Sequence, residues 1–173
     1  FQFRSTWGLF SPRAIDEGTR LLVDRLEIGQ ADDCLDLGCG YGPVGLVMAA
    51  LAPNGQTLLV DKDFVAVEYS NQNARLNGLA NARALLSNGF DQIPPDLGFD
   101  VIASNIPAKV GKELLSLYLH DARDRLRRDG RLYLVTINGL RQFIRRNLEE
   151  VFGDYDKLKQ GRAYTVAMAR KAR

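Results

Sequence analysis

Short apolar stretches of strand character alternate with stretches of helical spacing along nearly the whole chain. That alternation restricts the fold more than any other feature. It builds parallel strands joined by crossover helices that cover both faces of one sheet. Ala31 to Leu37 predicts a first short strand, followed by Thr57 to Val60, Ala82 to Leu86, Phe99 to Ala103 and Arg131 to Ile137. Between them, Pro43 to Leu51 carries proline in a first helical turn, where its missing N–H costs nothing. Val65, Tyr69 and Leu76 share one face of a helix that Gly78 stops. Lys112 to Arg128 predicts a long helix with Leu115, Tyr118, Ala122 and Leu126 inward, broken at Gly130. Leu140, Ile144, Leu148 and Val151 recur at helical spacing before Gly153. Tyr155 to Leu158 and Tyr164 to Met168 close the chain as a pair of strands, and Ala14 to Leu26 adds a helix ahead of the first strand.

A chain of 173 residues that is 46% hydrophobic and 25% charged is ordinary for a globular protein. It excludes a disordered tail, a collagen-like repeat and a disulfide miniprotein. No apolar run approaches the ~18 residues of a membrane span. No basic-then-apolar leader opens the chain, and its start at Phe1 rather than methionine points to numbering that begins within a longer product. Cys34 and Cys39 fit no zinc spacing, and the one histidine, His120, leaves too few soft ligands, so no metal is expected. Two free thiols favour a reducing, cytoplasmic setting. The net charge of +2 hides an asymmetry. Residues 1–122 carry 9 Lys/Arg against 15 Asp/Glu, and residues 123–173 carry 14 against 6. The basic third suits either a polyanionic partner or a solvated helix face.

The sharpest local signal is Asp36-Leu37-Gly38-Cys39-Gly40-Tyr41-Gly42, which follows a predicted strand and opens a predicted helix. Glycines there let the backbone turn tightly and approach a ligand closely. A dinucleotide fingerprint counted from Gly38 would need a third glycine where Pro43 stands. Counted from Gly40 it reaches Gly45, but starts late in the turn. No Gly-Lys-Ser/Thr follows, so the phosphate-loop pattern fails as well. Asp36 would repel a pyrophosphate but suits an ammonium-bearing ligand. S-adenosyl-L-methionine carries an ammonium and a sulfonium. Asp61 ends the second strand, about where an acid accepts both ribose hydroxyls. Either aspartate alone also reads as a cap or turn residue. Together at their strand ends they favour a nucleoside site.

These residues carry a resemblance. Asp36 to Gly42 and Val60-Asp61-Lys62-Asp63 resemble the first two motifs of class I S-adenosylmethionine-dependent methyltransferases. Trp7-Gly8-Leu9-Phe10-Ser11, Asp16-Glu17-Gly18-Thr19 and Ser104-Asn105-Ile106-Pro107 resemble the small-domain (MTS) branch, which includes small-subunit ribosomal RNA guanine-N2 methyltransferases and compact single-domain relatives. The resemblance implies a doubly wound, mostly parallel α/β sheet of seven strands, with an antiparallel strand near the C-terminus. Residues 1–173 would form a single methyltransferase domain, with 1–30 as an N-terminal cover segment and helix. It also implies S-adenosyl-L-methionine as cofactor, ribosomal RNA as substrate, and a monomer or weak homodimer. Asp36, Gly38, Cys39, Gly40, Asp61 and Lys62 fall on its cofactor motifs. Phe10 and Ser11 would cover the cofactor. Asn88 would meet the adenine amino group, with Gly89 in the turn and Phe90 flanking the ring.

In that family the fourth strand ends in Asn-Pro-Pro and an aromatic residue. Here Asn105 and Pro107 match, Ile106 replaces the first proline and Ala108 replaces the aromatic. An exocyclic amine on a base has its lone pair delocalised into the ring. The Asn105 amide oxygen and the Ile106 carbonyl, extended by Pro107, would each accept an N–H and aim the lone pair. Ala108 cannot stack on a base, a contact worth ~1–3 kcal/mol. Phe10 or Trp7 would take that place, or the target is not a nucleobase. A methyltransferase for protein glutamine or a small molecule, and a non-catalytic cofactor-binding subunit, stay open as alternatives. Asn105 is otherwise a turn residue, and Asn88-Gly89 a plain turn. Phe1 and Phe3 are expected over the open sheet edge, and Ser11-Pro12 reads as a helix start. Arg123, Arg127, Arg128, Arg141, Arg145 and Arg146 either track phosphates or coat helix faces.

Overall fold

The two faces of the strands decide the layering. In the computed structural model, which describes residues 1–9 and 11–172, seven strands form one sheet in the order β3-β2-β1-β4-β5-β7-β6. They are β1 (Cys34–Leu37), β2 (Thr57–Asp61), β3 (Ala82–Leu86), β4 (Phe99–Asn105), β5 (Leu126–Ile137), β6 (Asp156–Gln160) and β7 (Tyr164–Arg170). The first five pair in parallel, and β7 runs antiparallel between β5 and β6. This is the doubly wound, mostly parallel sheet that the sequence predicts.

Leu35, Leu37, Leu58, Val60, Ile102, Leu132 and Leu134 point to one face. There they join Leu115 and Leu119 of α4 (Lys112–Arg125) and Ile144 and Leu148 of α5 (Arg141–Phe152). Cys34, Val101, Ala103, Tyr133 and Val135 point to the other. There they meet Leu22 of α1 (Glu17–Val23) and Val44 and Met48 of α2 (Pro43–Leu51). Leu59 and Ala84 complete that face against Leu46 of α2 and Val67 of α3 (Phe64–Leu76). Central strands covered on both sides read as continuous apolar runs, which is why Thr57-Leu58-Leu59-Val60 shows no alternation. Each leucine so buried stabilises the fold by roughly 1.5–3 kcal/mol.

Four local expectations are corrected. The first helix starts at Glu17, not Ala14; Asp16 is its N-cap, and Ser11 instead bends at φ +48°. The long helix stops at Arg125, and Leu126 already pairs with Phe99 as the first residue of β5. Its side chain is buried as expected, but in a strand. α3 does not bury Val65 and Leu76, which are exposed; it buries Ala66, Val67, Ser70, Asn73 and Ala74. The N-terminal leader runs along α3 rather than over a sheet edge. Asn73 and Asn77 exchange side-chain hydrogen bonds with the backbones of Arg4 and Gln2, and Phe3 packs edge-on against Tyr41.

Candidate active site

The chain winds outward from β1 to β3 and then returns through β4 on the other side of β1. The carboxyl ends of β1 and β4 therefore flank the switch point, where open α/β sheets bind ligands. The segment 36–42 sits there. Gly38 N and Cys39 N both donate to Val60 O at 2.9 Å, tying the loop to the end of β2. Gly40 N donates to Asp61 Oδ2 at 2.9 Å. Gly38 and Gly40 take φ +75° and +56°, a region costly for any residue with a Cβ. A Cβ at either would meet nothing within 4 Å, so bare backbone faces open space, as a nucleoside cradle requires. Gly45 is needed for a different reason. Its Cβ would stand 2.4 Å from Leu59 Cδ2, so only glycine lets α2 press onto β2.

The two acids differ. Asp36 is buried beneath α2, and its Oδ2 accepts from Gly45 N at 2.8 Å. Oδ1 has no hydrogen-bond partner among the described residues. Burial pushes this carboxyl up to about 7, nearby Asp61 adds to the rise, and the Gly45 N–H opposes it. An arriving cation would favour its charged form. Asp61 is half-buried at the rim. Its two oxygens accept from Gly40 N and Asp63 N, which fixes the carboxylate and leaves further lone pairs free to take hydroxyl donors. Lys62, next along, is exposed. Burial raises the Cys39 thiol well above its ordinary range, and its sulfur lies 3.4 Å from Ser70 Oγ. It is a neutral packing group beside the loop rather than a nucleophile.

After β3, Gly89 turns at φ +58°, Asn88 is exposed at the rim, and Phe90 lies in the core with Leu37 and Ile106. Ser11 is half-buried, and Phe10 lies outside the described residues. Asn105 ends β4. Its Nδ2 donates to Asp16 Oδ2 at 3.2 Å and to Thr19 Oγ1 at 3.0 Å, while no donor among the described residues reaches Oδ1. Ile106 is buried and anchored by its N–H on Val135 O, with Pro107 and Ala108 exposed beyond it.

The sequence reasoning missed the residues that hold these groups in place. Ser70 Oγ donates to Gly40 O at 2.8 Å, Asn73 Nδ2 donates to Tyr41 O at 2.8 Å, and Ser104 Oγ donates to Leu37 O at 2.7 Å. Polar residues on otherwise apolar faces were the available signal. His120 is an exposed helix residue. Arg127 bridges Asp33 and Asp100, Arg145 pairs with Glu149, and Arg141 donates to Asn138 O. Arg128 also lies 4.0 Å from Asp129, so four of the six arginines considered for phosphates are engaged within the chain. No group of three or more His, Cys, Asp or Glu among the described residues could hold a metal ion, and no described helix is long and apolar enough to cross a membrane.

A switch-point glycine cradle, an acid at the end of β2 and an amide at the end of β4 define a nucleoside-binding α/β protein. Residues 1–168 match the family described as Methyltransferase small domain, and the chain belongs to that family. It is 32% identical to YbxB, an uncharacterised protein of Bacillus subtilis (strain 168), over 99% of this chain and 86% of that one. It is 30% identical to ribosomal RNA small subunit methyltransferase C of Hamiltonella defensa subsp. Acyrthosiphon pisum (strain 5AT), over 97% of this chain and 50% of the relative. The solved structure of the T. thermophilus 16S rRNA N2 G1207 methyltransferase RsmC, in complex with AdoMet and guanosine, superposes with a TM-score of 0.85. Its identity is 29%, over 95% of this chain and 45% of that one. The chain therefore spans about half the length of both ribosomal RNA methyltransferases.

Proposed function

We propose that the chain transfers a methyl group from S-adenosyl-L-methionine to an exocyclic amine, most directly that of a guanine in ribosomal RNA. When bound, S-adenosylmethionine supplies a methyl on a sulfonium, whose sulfur departs as a neutral thioether. The Gly38–Gly40 backbone cradles the amino-acid end, and Asp36 balances its ammonium. Asp61 accepts the ribose hydroxyls, Lys62 flanks them, and Asn88 takes the adenine amino group, with Phe90 flooring the turn. Ser11 covers the cofactor.

The observation that carries the chemistry is Asn105. Its Nδ2 is taken up by Asp16 and Thr19, while its Oδ1 has no internal donor among the described residues, and the Ile106 carbonyl follows it in the chain. Two acceptors there hold both N–H bonds of an amine and aim its lone pair at the methyl. Nitrogen gains the carbon, and its surplus proton passes to water. Positioning and charge complementarity supply the rate, with no covalent intermediate. The RNA target is supported by the similarity to two ribosomal RNA methyltransferases, along half their length. On this reading the chain works in the cytosol as one unit, a monomer or weak homodimer. Ala108, where the resembling motif has an aromatic residue, favours a second reading in which a protein amide nitrogen is the acceptor.

Methyl transfer from labelled cofactor to unmodified ribosomal subunits tests this, with RNA and protein separated afterwards. Label in RNA that falls about 100-fold or more in Asn105→Ala, at unchanged cofactor affinity, is the expected result. Label in protein would favour the second reading. Cofactor binding without transfer would leave a non-catalytic subunit.

A further inference from the structure

The two partners of Asn105 belong to a helix start 86–89 residues away, and neither touches the glycine cradle through any hydrogen bond of the described residues. Asp16 is the N-cap of α1: its Oδ1 accepts from Gly18 N at 2.9 Å and from Thr19 N at 3.3 Å. Its Oδ2 accepts from Thr19 Oγ1 and from Asn105 Nδ2. Thr19 is buried, and its single hydroxyl proton is committed to Asp16, so toward Asn105 it can only accept. Both neighbours at this end of the amide are therefore acceptors. Turning the amide over would set Oδ1 against a carboxylate and a proton-depleted hydroxyl, and would forfeit two hydrogen bonds, one of them charge-assisted. Only one polarity survives, with Nδ2 on Asp16 and Thr19 and Oδ1 left without an internal donor among the described residues.

We propose that Asp16 and Thr19 are positioning residues for the transfer, which lock the amide of Asn105 so that an oxygen, never an NH2, meets the acceptor nitrogen. The inference rests on Asn105 being the group that receives the substrate amine. It deepens that reading into a rule of substrate choice. The site accepts nitrogens that still carry hydrogen and turns away a carboxylate or a ring nitrogen that offers only a lone pair, because these would face an oxygen. N-capping alone does not account for the arrangement. The cap is satisfied by Oδ1, and Asn105 uses the other oxygen.

Asp16→Asn separates the two roles. Asparagine caps a helix about as well as aspartate, so α1 is retained, but its NH2 now faces Asn105. The Asn105 amide should turn over and present NH2 to the crevice. In a 15N spectrum of the chain without substrate, the Asn105 side-chain protons (identified by their loss in Asn105→Asp) should shift and exchange faster with water. With labelled S-adenosylmethionine and unmodified small ribosomal subunits, kcat should fall about 100-fold while cofactor affinity stays within about twofold. The exchanged pair, Asp16→Asn with Asn105→Asp, restores an inward donor–acceptor contact and an outward oxygen. It should recover at least about tenfold over Asp16→Asn. Thr19→Val, which keeps the side-chain shape and removes one acceptor, should give a smaller fall in kcat with the same split and serves if Asp16→Asn folds poorly. Unmoved Asn105 amide protons in Asp16→Asn, or no recovery in the exchanged pair, would overturn the proposal. An Asn105→Ala variant with full activity would instead overturn the underlying assignment of Asn105. Loss in Asn105→Ala without loss in Asp16→Asn would remove the positioning role alone.

Discussion

Replacing Asp36 with asparagine tests the electrostatics of the cradle. In the folded chain burial holds this carboxyl at about 7, against 3.8 in the unfolded chain. The folded state therefore binds the proton more tightly by about 3 units, or on the order of 4 kcal/mol at 1.36 kcal/mol per unit. This stabilising contribution is fully present below about pH 4. It is lost as the pH rises through about 7, because the unfolded chain releases the proton first. Asparagine keeps an oxygen for Gly45 N and cannot ionise. Urea unfolding of both proteins from pH 5 to pH 8 isolates the group, since every other titration is shared. The stability difference, wild type minus Asp36→Asn, should fall by about 1.4 kcal/mol per pH unit up to pH 7 and then level off. Parallel curves would refute the reasoning and place the carboxylate in contact with water. The same argument makes S-adenosylmethionine binding tighten through pH 7 in the wild type and stay flat in Asp36→Asn.

Three further outcomes follow from the geometry. Asp61→Ala removes the acceptor of Gly40 N and the proposed acceptor of the ribose hydroxyls, and equilibrium binding should show cofactor affinity lowered about tenfold or more with little change in stability. Gly45→Ala drives a Cβ into Leu59. Overpacking of about 1–3 kcal/mol should outweigh the ~1 kcal/mol gained in helix propensity, and scanning calorimetry should show Tm down by a few degrees. If the proposed RNA target holds, affinity for ribosomal RNA should fall about tenfold or more between 50 and 200 mM salt, and a flat profile would assign the basic third to solvated helix faces.

The order of strands and helices was legible because covered parallel strands are short and apolar, and their crossovers carry helical spacing. The cradle was legible because Gly38 and Gly40 need positive φ and Asp61 closes a strand. α3 misled, because its inward face was sought among its largest apolar residues. That face docks on the polar backbone of the glycine loop, so Ser70 and Asn73 are buried while Val65 and Leu76 stay outside. The α4–β5 boundary misled for another reason. Leu126 is inward in either conformation, and the pairing that decides it, with Phe99, lies 27 positions away in sequence. The link from Asp16 and Thr19 to Asn105 spans half the chain and leaves no local pattern, so only the fold reveals it.

Calorimetric titration of the purified chain with S-adenosylmethionine, beside a nicotinamide dinucleotide, tests the central claim most directly. A saturable one-to-one heat for the sulfonium donor, and none for the dinucleotide, is the predicted result. A silent titration with the donor, or preferential binding of the dinucleotide, would contradict the assignment of the crevice between β1 and β4.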